Sequence, residues 1–185
     1  MIDWKPILRR LLGHSVRRTM GVKMALGDLF EVECYDREGN LKWRDTIKNL
    51  VVNTGLDDAL DKYLKGSAYT AAHYCGLTDG TPTFAPGDTM ASHAGWTEVV
   101  AYSEATREVM VWGSVSAQSV DNSASKASFS ITGTATIGGA FLSTDSTKSG
   151  SSGTLYGGGA FTGGDKPVVD GYTLNVTVTA SSSAS

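Results

Sequence analysis

The chain has 185 residues, 41% hydrophobic and 19% charged, with a formal net charge of −3, which suits one domain with its own core plus an arm. No run of 18 apolar residues is present to cross a membrane as a helix, and arginine pairs interrupt the early apolar runs that a secretory signal would need. The two cysteines, Cys34 and Cys75, sit in no metal-like or redox-like spacing, so neither a disulfide framework nor a zinc site is expected.

Residues 1–27 read as a basic, amphipathic N-terminal arm. Within the first 25 residues, Lys5, Arg9, Arg10, Arg17, Arg18 and Lys23 oppose one acid, Asp3, which gives +5 and leaves −8 for the rest of the chain. Asp3 can cap a helix starting near Trp4, and Pro6 is tolerated in its first turn. On that helix Trp4, Ile7, Leu8, Leu11, Leu12 and Val16 share one broad face, while Arg9, Arg10, His14 and Arg17 lie mainly on the other. Gly13 weakens the helix and Gly21 can end it. One reading is a helix packed on its own domain; the other is an arm laid on a partner. The arm's charge opposes that of its own body, which favours the partner. The expected partner-binding residues are therefore Trp4, Ile7, Leu8, Leu11, Leu12 and Val16 as apolar anchors, with Arg9, Arg10, Arg17 and Arg18 beside them. The Arg-rich, acid-poor composition also fits a mitochondrial transit peptide, as a lesser alternative.

From Asp28 the period changes. Phe30, Val32 and Cys34 alternate with Glu31 and Glu33, as in a half-buried strand. The stretch Asp36–Asn40 is a turn by composition, and 41–52 returns as the second strand of a hairpin. Asn53 or Thr54 then caps a short helix over 54–64 whose Leu56, Leu60, Tyr63 and Leu64 form an apolar face, so it is expected to be embedded in the domain. Gly66 stops it. Further strands are expected at 71–77, 96–102, 108–115, 125–132, 135–142, 155–161 and 172–180. The stretch from Val111 to Ser185 holds only four acids and three lysines in 75 residues. A flexible tail is the alternative for this half, but its recurring apolar anchors, such as Phe129, Phe141 and Leu174, favour strands. The fold class is thus mainly β: an antiparallel β-sandwich or jelly-roll-like domain over 28–180, with one short embedded helix and the N-terminal helical arm. Residues 181–185 read as a polar C-terminal tail.

No residue set completes a catalytic pattern, and no cofactor or metal is expected. His73 and Cys75 would share one face of a strand about 6–7 Å apart, too far for a nucleophile pair. His93 lies in a loop, solvated or bonded to backbone. Asp36, Glu38 and Asn40 alternate like a calcium loop, but the stretch is short and lacks a distant bidentate glutamate. Glu31 and Glu33 share a strand face and could be paired acids, yet that face is also the solvent face of an amphipathic strand. Gly157–Gly159 runs into an apolar strand, not into the helix a phosphate loop needs. Cys34 reads as a buried thiol, with a Cys34–Cys75 disulfide as the alternative. The aromatics of the body are not interleaved with basic residues, so direct nucleic-acid binding is not expected.

Residues 30–45 (FEVECYDREGNLKWRD), 49–58 (NLVVNTGLDD) and 74–90 (YCGLTDGTPTFAPGDTM), with Trp96–Glu98, resemble virion proteins of tailed bacteriophages. So do Ile137–Leu142, Gly153–Tyr156 and Gly171–Val176; together these stretches span most of 28–180. The resemblance implies a structural protein of the phage particle, nearest to a capsid cement or decoration protein that clamps adjacent major capsid subunits. Its implied partners are the major capsid protein and neighbouring copies of itself, with homo-oligomers on the particle. It implies a virion location after assembly in the bacterial host cytoplasm, and no membrane. Tail and fibre proteins carry similar Gly/Thr-rich β segments, so a tail-associated protein that binds the host surface is the alternative. The lack of heptads or a fibrous repeat favours cement.

Overall fold

The computed structural model describes residues 24–68 and 72–184. Along the chain run β1 (Met24–Tyr35), β2 (Leu41–Lys48), β3 (Leu50–Val51), α1 (Asn53–Tyr63), β4 (Tyr74–Thr78), β5 (Glu98–Val99) and β6 (Glu108–Val109). Then follow β7 (Ser119–Asp121), β8 (Ala127–Ser130), β9 (Ala135–Ile137), β10 (Gly139–Ser143), β11 (Leu155–Ala160), β12 (Lys166–Val168) and β13 (Thr173–Ala184). The protein is mainly β, with antiparallel sheets and one helix among the described residues.

The first sheet is ordered β2-β1-β13-β7, with β8 also pairing with β13. Its centre is the long β1–β13 ladder, where Phe30 faces Val178, Val32 faces Val176 and Cys34 faces Leu174. All six of these side chains are fully buried, while Glu31 is exposed, so the period of two read in the sequence is the period of burial. Burial pushes the Cys34 thiol up to about 11. Both cysteines are free and buried.

The second sheet is ordered β3-β11-β10-β4-β5, with β6 also on β4. All five residues of β10 are buried, as a central strand covered on both faces requires. Ala140 and Leu142 join the main core, which also takes Phe30, Val32 and Val176 from the first sheet. Phe141 points the other way, into a smaller cluster with Val52, Met90, Trp96 and Leu155. Gly157, Gly158 and Gly159 lie in β11, where the packing leaves no room for side chains. A Cβ there would meet Leu50 O at 2.6 Å, the Phe84 ring at 2.4 Å and Ile47 Cγ2 at 2.6 Å, respectively.

Several expectations need correction. The first strand begins at Met24 and not near Asp28, because Met24–Gly27 pair with Ala184–Ser181 of β13. By the same pairing the expected tail at 181–185 is strand through Ala184; polar side chains do not prevent a ladder whose bonds are main-chain. The single returning strand expected over 41–52 is two: β2 belongs to the first sheet and β3 to the second. The strand expected over 135–142 likewise divides around Gly138 into β9, which pairs with β12, and β10. The strands expected at 96–102 and 108–115 shrink to the two-residue β5 and β6, and β7 and β12 arise between the expected strands. The expected arm, residues 1–27, lies outside the described residues apart from Met24–Gly27, and its expected helix lies wholly outside them.

Candidate functional site

Several charged groups of the body that might carry chemistry are engaged in holding it together. The carboxylate of Asp36 accepts the backbone N–H groups of Asn40 at 2.8 Å and Glu38 at 3.1 Å. Those bonds, the Asn40 N–H foremost, hold its carboxyl below the usual range. The would-be calcium loop is therefore an Asp-nucleated turn, and Gly39 supplies its φ of +82°. Glu33 accepts Lys126 Nζ at 2.9 Å, Arg44 Nη2 at 3.1 Å and the Tyr35 hydroxyl at 3.0 Å. The Lys126 bond first, then the Tyr35 hydroxyl, push its carboxyl down. A general acid for glycoside chemistry needs the opposite shift. Burial would raise Asp45, yet Lys166, the Thr46 N–H, the Thr162 hydroxyl and the Gly163 N–H together hold it low.

His73 and Cys75 do not form a pair. β4 begins at Tyr74, so His73 precedes the strand, and its ring stands edge-on to Tyr156 at 4.9 Å and to Trp112 at 6.4 Å. Cys75 is fully buried, and desolvation drives its thiol far up, the wrong direction for a nucleophile. His93 stacks on Trp96 at 3.7 Å with Nδ1 3.1 Å from the Trp96 carbonyl oxygen. Among the described residues no group of three or more His, Cys, Asp or Glu side chains is arranged to hold a metal.

One buried ion pair escaped the sequence reading. Arg107, 1% exposed, donates Nε to Glu98 Oε1 at 2.9 Å and Nη2 to Glu98 Oε2 at 2.8 Å. Its other donors reach the carbonyls of Asp145 at 2.9 Å and Gly150 at 3.1 Å, and its guanidinium lies 5.1 Å from the centre of the Phe141 ring. Glu98 also accepts the Ser149 N–H at 2.7 Å. This one side chain thus ties β5 to the 143–150 loop through two carbonyls and a bidentate carboxylate. Arg107 is the only arginine after Arg44, which was the available signal.

The most open apolar feature is at α1. Leu56, Leu60, Tyr63 and Leu64, expected in the core, are 37%, 49%, 85% and 70% exposed. The helix rests on the sheet through its small residue instead. Gly55 is its buried residue, and a Cβ there would meet the Tyr156 carbonyl oxygen at 2.4 Å. The Thr54 hydroxyl donates to the Leu155 carbonyl at 2.9 Å, so it anchors the helix to β11 and does not cap it. Val52 is the N-cap, without a side-chain bond, which corrects the expected Asn53 or Thr54 cap. Gly66, at φ +76°, follows the C-terminal end as expected.

Between α1 and the 112–120 segment lies a largely apolar groove of about 690 Å³. Leu60, Tyr63 and Leu64 of α1, Trp112 and Val115 of the 112–120 segment, and Ala180–Ser182 of β13 all line it. His73 also lines it; burial lowers its pKa, and the negative charge of Asp58, which borders the groove as well, opposes that shift.

The sequence-predicted partner residues Trp4, Ile7, Leu8, Arg9, Arg10, Leu11, Leu12, Val16, Arg17 and Arg18 all lie outside the described residues. The point where their segment joins the body is described: Leu26 pairs with Ser182, one of the residues that line the groove. No helix among the described residues is long and apolar enough to cross a membrane. No protein-family model matches the chain, and no curated protein matches it significantly.

Proposed function

We propose that this chain is a structural protein of a tailed-bacteriophage particle, a capsid cement or decoration protein that clamps adjacent major capsid subunits. The resemblance in the β segments suggests the class. The observation that carries the reading furthest is the contrast within the body. Several of its charged groups are tied up in internal ion pairs, such as Arg107–Glu98 and Lys166–Asp45, while an apolar helix face stays exposed. That face lies where a basic, amphipathic segment joins the domain. Such a layout suits a binding module better than a catalyst. The body is read as a β-sandwich, because side chains of both larger sheets enter one core. On the particle, the basic N-terminal arm anchors the body to neighbours, with the apolar face carrying most of the affinity. Rim ion pairs supply only about 0.2–1 kcal/mol each.

The test is mass spectrometry of heads and tails purified separately from phage that carries this chain. Cement protein is expected in heads, at a copy number tied to the shell lattice. Recovery in tails would assign the chain to the tail-associated alternative, and absence from both would overturn the virion reading. In a binding assay with assembled heads, the full chain carrying Leu8→Asp with Leu12→Asp should bind weakly or not at all. Arg17→Ala alone should have a small effect.

A further inference from the structure

We propose that the groove between α1 and the 112–120 segment is the face through which two copies of this chain associate about a two-fold axis, the C-terminal end of α1 in each copy seated in the groove of the other. The inference concerns the free chain and does not depend on the phage reading.

Exposure sets the breadth of the occupant. By volume, about 690 Å³, the groove would also suit a small molecule. Yet three of its lining residues, Tyr63, Leu64 and Val115, are 85%, 70% and 77% exposed. A small ligand is enclosed by the residues that bind it, and side chains this open call for a broader cover. Leu56 and Leu60 extend the same exposure along α1, on the helical face that Tyr63 and Leu64 share. With Val115 they leave on the order of 500 Å² of apolar side chain in water, near the upper end of what a monomer exposes in one patch. Covered on two copies at once, that is on the order of 1,000 Å² before any polar surround is added, the threshold of a specific interface.

Charge favours a second copy over a strongly acidic or basic partner. Residues 109–120 hold no charged side chain. Asp58 and Lys62, which both line the groove, are opposite in sign, so each can meet the other's counterpart across a two-fold axis. Asp61 is already paired on its own helix, with Lys65 Nζ at 2.9 Å. Two copies therefore meet here without like-charge opposition, while a highly charged partner would find no counterpart. The aromatic residues Tyr63, Trp112 and Tyr156 all line the groove, and an aromatic-rich, charge-poor lining is the composition of an interface core. A patch that holds both open apolar side chains and a groove to receive them is self-complementary, as an isologous contact requires. One part of it is also fixed in advance. Ala117 and Gln118 hold φ of +48° and +59° in a turn closed by two Ser116–Ser119 backbone bonds of 2.9 Å, and the Gln118 carbonyl accepts the Ser182 N–H at 3.0 Å. A turn held in that left-handed conformation and tied to β13 needs no ordering when a partner arrives.

The test is the mass of the full chain in solution, by sedimentation velocity between about 1 and 100 μM. Wild type is expected to pass from one chain mass to two as concentration rises. Tyr63→Asp should raise the dissociation constant at least about tenfold, with circular dichroism unchanged because Tyr63 is so open to solvent. Two controls should dimerise like wild type. Leu41→Asp alters an exposed leucine of β2 that does not line the groove. Leu8→Asp with Leu12→Asp alters the N-terminal segment, which has no part in the proposed contact. A wild type that stays monomeric throughout the range, or that forms trimers, would overturn the proposal. A dimer indifferent to Tyr63→Asp, or one lost in either control, would overturn it as well, since the contact would then lie elsewhere. No particles are present in these measurements, so their failure is separate from failure of the cement reading.

Discussion

Strand β1 and helix α1 carry equally regular apolar patterns, yet they end in opposite places. Phe30, Val32 and Cys34 of β1 are fully buried, whereas Leu60, Tyr63 and Leu64 of α1 are half to mostly exposed. The two differ in what they rest on. β1 is hydrogen-bonded on both sides, to β2 and to β13, and its inner face meets side chains of the second sheet. α1 touches the body through Gly55, where the Tyr156 main chain comes too close for any side chain. Periodicity identifies a face that requires cover, while backbone proximity decides which face the body itself covers.

The comparison breaks most visibly at the buried end. Phe30→Ala should lower stability by about 3–5 kcal/mol, measured by urea denaturation, because it opens a cavity where the two sheets meet. Arg107→Ala should be as severe, about 3–5 kcal/mol, for a different reason: it leaves Glu98 buried without its cation. Replacing Glu98 as well, as Arg107→Met with Glu98→Leu, should recover part of that loss. If Arg107→Ala costs under about 1 kcal/mol, the pin is not a determinant of the loop packing.

The contact that seats the helix should give an intermediate effect. Gly55→Ala places a Cβ against the Tyr156 carbonyl oxygen and should cost about 1–3 kcal/mol, despite the better helix propensity of alanine. A stabilised Gly55→Ala protein would mean that α1 sits farther from β11 in solution.

These two regions also mark how far the sequence could be read. The alternation in β1, the Asp36 turn and the core anchors of β13 were legible because each signal is local. The transfer of the chain from β2 to β3, and the division of β9 from β10, were not. Both sides of each junction are β-prone, and the sheet each joins depends on contacts distant in sequence. The exposed face of α1 was misread because a Gly-mediated approach leaves no apolar signature. Arg107 was missed because a lone arginine between Glu104 and Glu108 looks like surface until its carboxylate and carbonyl partners are known. Of the arm, charge and amphipathicity are legible, and the attachment point beside the groove emerged only from the β1–β13 register.

Below the helix, His73 should give a pH signature. Its folded pKa is pulled below the ordinary 6.5 by burial, with Asp58 partly opposing. Below pH 6.5 the unfolded chain therefore binds a proton that the folded chain resists, so stability falls as pH drops from 6.5 to the depressed value and this contribution levels off beneath it. Asp36, Asp45 and Glu33 have lowered values and act with the same sign, but only below the carboxylate range. Glu108 is raised, by burial first, and so has the opposite sign. Subtracting the profile of His73→Gln from that of wild type isolates the histidine. The difference should slope between pH 7 and 5; a flat difference would place the imidazole in water.

The smallest expected effect is the sharpest probe of the comparison. A buried leucine truncated to alanine costs about 2–5 kcal/mol, and Leu60→Ala in the full chain should fall well short of that, at no more than about 1 kcal/mol. The reason is its exposure: Leu60 is about half open to solvent, so truncation opens no closed cavity. A cost of about 2–5 kcal/mol, measured by urea denaturation, would mean that Leu60 is buried in solution, and the contrast between β1 and α1 would vanish.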